Sequence, residues 1–173
     1  MKLSSRSLSL CALMTALSCI LSCIGLPAGS IPFTLQTFAA ALTGCMLRPK
    51  EAFFSMLAYL LLGACGLPVF SMLRGGAGML IGPTGGFLIG LPFLSLLCAC
   101  AAKKKLPLQM LLYAAGLTIL YLLGVLHLQR VSGIPLAQAV ASGVLPFVIK
   151  DILSLCGAAL AARALRLRLR LFA

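Results

Sequence analysis

The sequence predicts an all-α integral membrane protein, a bundle of six transmembrane helices with the N-terminus and the C-terminus both cytoplasmic. Three observations lead there. Hydrophobic residues make up 62% of the 173-residue chain and charged residues only 9%, whereas an ordinary soluble domain carries roughly 25% charged residues. Apolar residues also fall into six runs, at residues 8–26, 34–47, 52–70, 79–102, 106–126 and 136–160. A span takes roughly 20 residues, so the length is used up by six spans and short loops, which makes residues 1–173 one membrane-embedded domain. Finally, the cations are sorted between alternate loops.

That sorting accounts for a net charge of +12, which in a soluble protein would point to nucleic acid. With a cytoplasmic N-terminus, Lys2, Arg6, Arg48, Lys50, Lys103, Lys104, Lys105, Arg163, Arg166, Arg168 and Arg170 all fall on the inner side. Only Arg74 and Arg130 fall outside, and Lys150 lies within a run. This is a positive-inside pattern, not a nucleic-acid surface, and it makes the chain a multi-pass protein of a cell membrane.

The first run follows Lys2 and Arg6 as a signal peptide would, but it is long for such a segment and residues 25–30 contain no A-x-A site. It is read as a retained span. The second run is short and follows Pro27, Gly29 and Pro32, which suggests a tilted or partly re-entrant helix. Gly63, Gly66 and Pro68 weaken the outer end of the third run. A Gly-rich loop at residues 74–78 follows, and Gly82, Pro83, Gly85 and Gly86 interrupt the start of the fourth run. Irregular backbone at membrane depth is tolerated where protein buries it or where it lines a cavity, so the outer half of the bundle is where a site is expected.

In the sixth run, Lys150 and Asp151 stand about fifteen residues into an apolar stretch. A carboxylate near mid-helix costs about 2.5 to 3.5 kcal/mol on insertion scales, so an intramembrane ionisable residue marks a functional site by default. The plain alternative is an adjacent pair that neutralises itself or snorkels to the interface.

Enzyme chemistry finds little support. Of the two acids, Glu51 lies at the cytoplasmic end of the third run and Asp151 well within the sixth, so they form no acid/base dyad. His127 has no second histidine nearby to complete a metal site. The eight cysteines lie almost wholly inside apolar runs without a C-x-x-C pair, and read as small apolar residues. The glycines at residues 75–86 lack the lysine of a P-loop, so energy for any transport comes from a partner or an ion gradient.

Four ordered blocks then carry a resemblance: IPFTLQT at residues 31–37, YLLLGACGLPVF at 59–70, GPTGGFLIG at 82–90, and GVLPF at 143–147 followed by Asp151. Together they resemble the BioY family, the biotin-binding S components of energy-coupling factor (ECF) transporters. The resemblance spans nearly the whole chain, and its GLPVF and GPTGG blocks are its most specific parts. It implies that biotin is the transported ligand, that the chain is not an enzyme and needs no cofactor, and that its partners are a transmembrane T component and two cytoplasmic ATPase subunits. It also implies that Ala12 and Ala16 form the small-x-x-x-small surface that docks on the T component, spacing that lets helices approach closely.

Biotin's functional groups fit the available side chains. Its ureido ring offers two N–H donors and a carbonyl, and its valerate tail ends in a carboxylate. Asp151 can accept from a ureido N–H, with Lys150 offsetting the burial of its charge. Arg74, beside flexible glycines, suits the tail carboxylate as a bidentate partner, or is a solvated loop charge. Thr34 and Gln36 offer neutral hydrogen bonds at the outer mouth. Tyr59, Phe87 and Phe147 supply walls or ordinary helix packing. One departure from the family pattern stands out. The aspartate is commonly followed three residues on by a lysine, and here that position is Ser154. Lys150 lies about 40° in azimuth from Ser154 and roughly 6 Å nearer the outside, close enough to substitute for it, while Ser154 itself keeps a weaker hydrogen bond. The same departure leaves another small vitamin, or a biotin precursor, as the alternative ligand.

Overall fold

The computed structural model describes residues 5–26 and 32–169. Lys2, Arg170, the side chain of Arg168 and the prolyl-glycyl stretch at residues 27–31 lie outside them. The elements in order are α1 (Ser5–Cys23), strands β1 (Gly25–Leu26) and β2 (Phe33–Thr34), α2 (Gln36–Met46) and α3 (Pro49–Ala64). A 3-10 turn (Ser71–Leu73) leads to α4 (Gly78–Ile81), α5 (Gly85–Ala101), α6 (Leu106–Ser132), α7 (Leu136–Gly143) and α8 (Val148–Leu169).

Two of these helices, α1 and α6, are long and apolar enough to cross a membrane singly. A third candidate is the pair α7 and α8, bent by 46° at a short break. α5 is apolar but shorter. The helical, apolar character therefore agrees with the sequence reading, while several runs are shorter or more broken than drawn from sequence. The third run stops being helical after Ala64, and the fourth splits into α4 and α5. The fifth continues to Ser132 and ends on Gly133, whose φ of 66° gives the left-handed cap that glycine adopts without strain. The small antiparallel ribbon pairing Gly25 with Thr34 and Leu26 with Phe33 departs from a purely helical expectation.

Both splits have a proline as their cause. Pro83 and Pro146 disfavour helical conformation in the residue before them and lack an N–H to continue the ladder. Gly82 is accordingly extended, with φ −71° and ψ 176°. The second break changes the energetics of the sixth run. Asp151 is not at mid-helix but in the first turn of α8. There the partial positive charge of the helix N-terminus stabilises a carboxylate, so its burial costs less than the sequence position implied.

α2 sits at the centre. At about 1.5 Å per residue its 11 residues are too short to span a bilayer core. Nine of them are buried, against α1, α3, α5 and α8. α1 joins this core through Met14 and through a polar seam: Thr15 Oγ1 meets Ser55 Oγ at 2.8 Å and Ser18 Oγ meets Thr43 Oγ1 at 3.2 Å. Small hydroxyl side chains let backbones approach and supply interhelical hydrogen bonds where water is absent.

The two ends of the bundle differ. At one end the Arg48 N–H donates to Glu51 Oε2 at 3.2 Å, capping α3. Ser7 Oγ donates to Glu51 Oε1 at 2.5 Å, and Arg166 on α8 donates to the Cys45 carbonyl at the end of α2. The three lysines before α6 belong to this end as well, because Tyr113, about two turns into α6, reaches Cys45 Sγ at 3.3 Å. Glu51 is thus occupied by capping and by Ser7, consistent with a structural acid. Arg74 and Arg130 lie at the opposite end, with the start of α2 and the α7–α8 break.

Candidate ligand site

At this second end the first residues of α2, the start of α5, the outer part of α6 and the α7–α8 break enclose a small cavity of ≈ 50 Å³. Close helix packing fixes its walls. α5 and α6 make the most extensive helix pair in the fold. A Cβ on Gly86 would strike the Leu123 carbonyl, and one on Gly124 would strike the ring of Phe87. These two glycines let the backbones approach and hold the Phe87 ring against α6, at the cavity wall.

The polar side of the cavity is built around Asp151, which is 2% exposed. Tyr121 on α6 donates its hydroxyl proton to Asp151 Oδ2 at 2.7 Å. The Lys150 ammonium lies 2.7 Å from Oδ1. That contact is an ion pair by distance, but no hydrogen bond of good geometry reaches Oδ1 among the described residues. One carboxylate oxygen thus accepts from a phenol, while the other is charge-compensated and still able to accept. Lys150 also donates to the Thr34 carbonyl at 3.1 Å and stands 5.6 Å from the centre of the Phe147 ring. Phe147 in turn stacks on Phe33 with ring centres 4.6 Å apart.

Six of the residues singled out from sequence, Thr34, Gln36, Phe87, Phe147, Lys150 and Asp151, line this one cavity. Tyr59 stands behind it, fully buried, and its hydroxyl accepts from Gln36 Nε2 at 3.0 Å. Ser154 is buried but faces elsewhere. It lines a groove of ≈ 520 Å³ between α2 and α8, with Phe38 and Leu153, and Lys150 stands at the boundary between that groove and the cavity. Arg74 is exposed on the loop after the 3-10 turn and is not among the cavity's lining residues. Ala12 and Ala16 are exposed on α1, in a groove of ≈ 520 Å³ shared with Phe54 and Ala58 of α3.

Sequence reasoning passed over Tyr121, Thr37 and Leu120, all of which line the cavity. For Tyr121 a signal existed. A carboxylate in an apolar run needs a donor, and the chain has only three tyrosines. His127 sits near the site without entering it. Its Nε2 lies 3.0 Å from the Gly82 carbonyl and ties α6 to the turn that opens α5.

Fold and cavity together define an apolar helical membrane protein that encloses a small polar site at the end of the bundle away from its cationic loops. The chain belongs to the BioY family, whose pattern it matches over residues 1–171. It is 37% identical to a probable biotin transporter BioY of Pyrococcus horikoshii, over 95% of this chain and 98% of that one. It is 39% identical to the biotin transporter BioY of Thermotoga maritima, over 93% and 96% respectively. Its fold is similar to a crystal structure of the S-component for biotin from an ECF-type ABC transporter, with a TM-score of 0.83, 28% identity, and coverage of 93% of this chain and 90% of that one.

Proposed function

We propose that this chain takes up biotin as the substrate-capturing S component of an ECF-type importer, binding the vitamin at Asp151 without covalent chemistry. The observation that carries the site is the Asp151 carboxylate, buried at the cavity wall with Oδ1 ion-paired to Lys150 but without a hydrogen bond of good geometry. A ureido N–H is the group that completes it. Family membership and the fold likeness support the function as a whole.

The cavity is far smaller than the roughly 300–1,000 Å³ of a small-molecule pocket, so capture requires it to open. The contacts that close it are the Phe33–Phe147 stack and the Lys150–Thr34 hydrogen bond. Separating them moves the β2 end of the first loop away from α8. Arg74 then serves the tail carboxylate from the flanking loop, and Lys150 takes the part of the lysine that Ser154 replaces. Gln36, held by Tyr59, and Thr34 supply neutral hydrogen bonds, and Phe87 and Phe147 the apolar walls.

In this reading the chain is one membrane-embedded unit of six membrane segments, of which α2 is the short, partly re-entrant one. The cation-rich end is cytoplasmic, with both termini on that side, and the cavity faces outward. Without an ATP-binding motif the chain depends on a T component and two ATPase subunits, with Ala12 and Ala16 on the docking face. The α1–α3 groove around them supports that assignment, since small residues leave room for a partner helix.

Titration of detergent-purified protein with biotin tests the proposal. Saturable binding that weakens in Asp151→Asn and in Arg74→Ala supports the function and the site, whereas absence of binding to the intact protein refutes capture. Binding that survives both substitutions refutes the site alone. A second reading, another small vitamin or a biotin precursor, rests on Ser154 and is tested by competition in the same assay.

A further inference from the structure

Asp151 lines the cavity, and its two carboxylate oxygens have different partners. Oδ2 is taken by the Tyr121 hydroxyl at 2.7 Å, and Oδ1 faces Lys150 at 2.7 Å without a hydrogen bond of good geometry. A carboxylate is free to rotate about its terminal bond unless a partner holds it. Lys150 is the looser of the two partners: its ammonium is tied to the Thr34 carbonyl at 3.1 Å, but its side chain is long and 23% exposed. Tyr121 is rigid by contrast, with two side-chain torsions, and it projects from a different helix. Leu120, its neighbour on α6, is buried against Gly90 of α5, which fixes α6 at this level.

From this we infer that Tyr121 is the positioning residue of the site: by holding Oδ2 it aims Oδ1 at the ligand as a pure acceptor, and so sets the preference for a ligand that offers an N–H. A carboxylate presented as an acceptor disfavours an analogue that lacks the donor, because the buried oxygen then keeps only its Lys150 ion pair and gains no hydrogen bond from the ligand. The inference rests on the biotin-capture reading and adds the origin of donor selectivity to it.

The test compares affinities for biotin and for biotin methylated at the ureido nitrogens, measured by calorimetry on the full chain. The intact protein should prefer biotin strongly, and Tyr121→Phe should shrink that preference about tenfold or more, consistent with a hydrogen bond to a charged group. Tyr113→Phe, which removes a phenol on the same helix bonded to Gln109 and Cys45, should leave the preference unchanged. Adding Tyr121→Phe to Asp151→Asn should change the preference no further, because the group it aims has been altered. A preference unchanged in Tyr121→Phe, or equally reduced in Tyr113→Phe, overturns the inference.

Infrared difference spectra on adding biotin give a second readout. The Asp151 carboxylate bands should move while the Tyr121 C–O band, identified as the one missing from Tyr121→Phe, stays, because Tyr121 keeps its partner. A Tyr121 band that moves with them overturns the inference. If the intact protein binds no biotin in either assay, the capture reading itself fails and this inference with it.

Discussion

Lys150 and Thr34 stand 116 residues apart in the chain and are joined by a 3.1 Å hydrogen bond from the ammonium to the main-chain carbonyl. The bond ties the first turn of α8 to strand β2. It runs beside the Phe33–Phe147 stack, so a charged contact and an aromatic contact close the same edge of the cavity. A ligand that enters from this side has to break both.

Asp151→Asn tests the acceptor. The amide can place an N–H where the ligand also offers one, so biotin affinity should fall by roughly tenfold to a hundredfold, the range for hydrogen bonds to charged groups. Isothermal titration reads the change, and an affinity within twofold of the original would remove Asp151 from the site.

Lys150→Met separates the two contributions of the lysine. Removing one partner of a buried ion pair leaves an uncompensated carboxylate, at a cost of about 3 to 5 kcal/mol for fully buried pairs. Lys150 is partly exposed, which lessens that cost through solvent screening. The variant should therefore unfold at lower temperature in detergent and exchange biotin faster, since the tie to Thr34 is gone. Stopped-flow dissociation that matches the unaltered protein would contradict the latch.

Gly124→Val probes the α5–α6 approach. A Cβ there meets the Phe87 ring, and overpacking typically costs about 1 to 3 kcal/mol. The variant should lose thermal stability and bind biotin more weakly, because Phe87 can yield only by moving at the cavity wall. Pairing it with Phe87→Ala should recover stability, and a lack of recovery would place the strain elsewhere.

Ala12→Leu with Ala16→Leu addresses the opposite face of function. Neither residue lines the ligand cavity, so the isolated chain should bind biotin as before. Filling the α1–α3 groove should prevent assembly with the T component and abolish uptake in cells. Normal uptake by this variant would move the docking surface away from α1.

Much of this protein was legible in its sequence because the membrane imposes simple rules. Burying backbone in lipid demands helices, and helices of spanning length need apolar runs, so composition and run length give the helical class directly. Asp151 stood out for the same reason: in an apolar run a carboxylate has no ordinary explanation. Helical periodicity even placed Lys150 and Ser154 on neighbouring azimuths, and both border the same groove.

What periodicity does not contain is how one helix is rotated and raised against the next. Only the packed fold shows the Pro146 break that puts Asp151 in a first helical turn, where the helix dipole favours it. Only the packed fold brings Tyr121 to Asp151, turns Ser154 toward the outer groove and leaves Arg74 exposed on its loop. The sequence determined which residues are chemically out of place in a bilayer. Tertiary structure decided which of them share a cavity, because that depends on close approaches such as those at Gly86 and Gly124, which no single helix specifies.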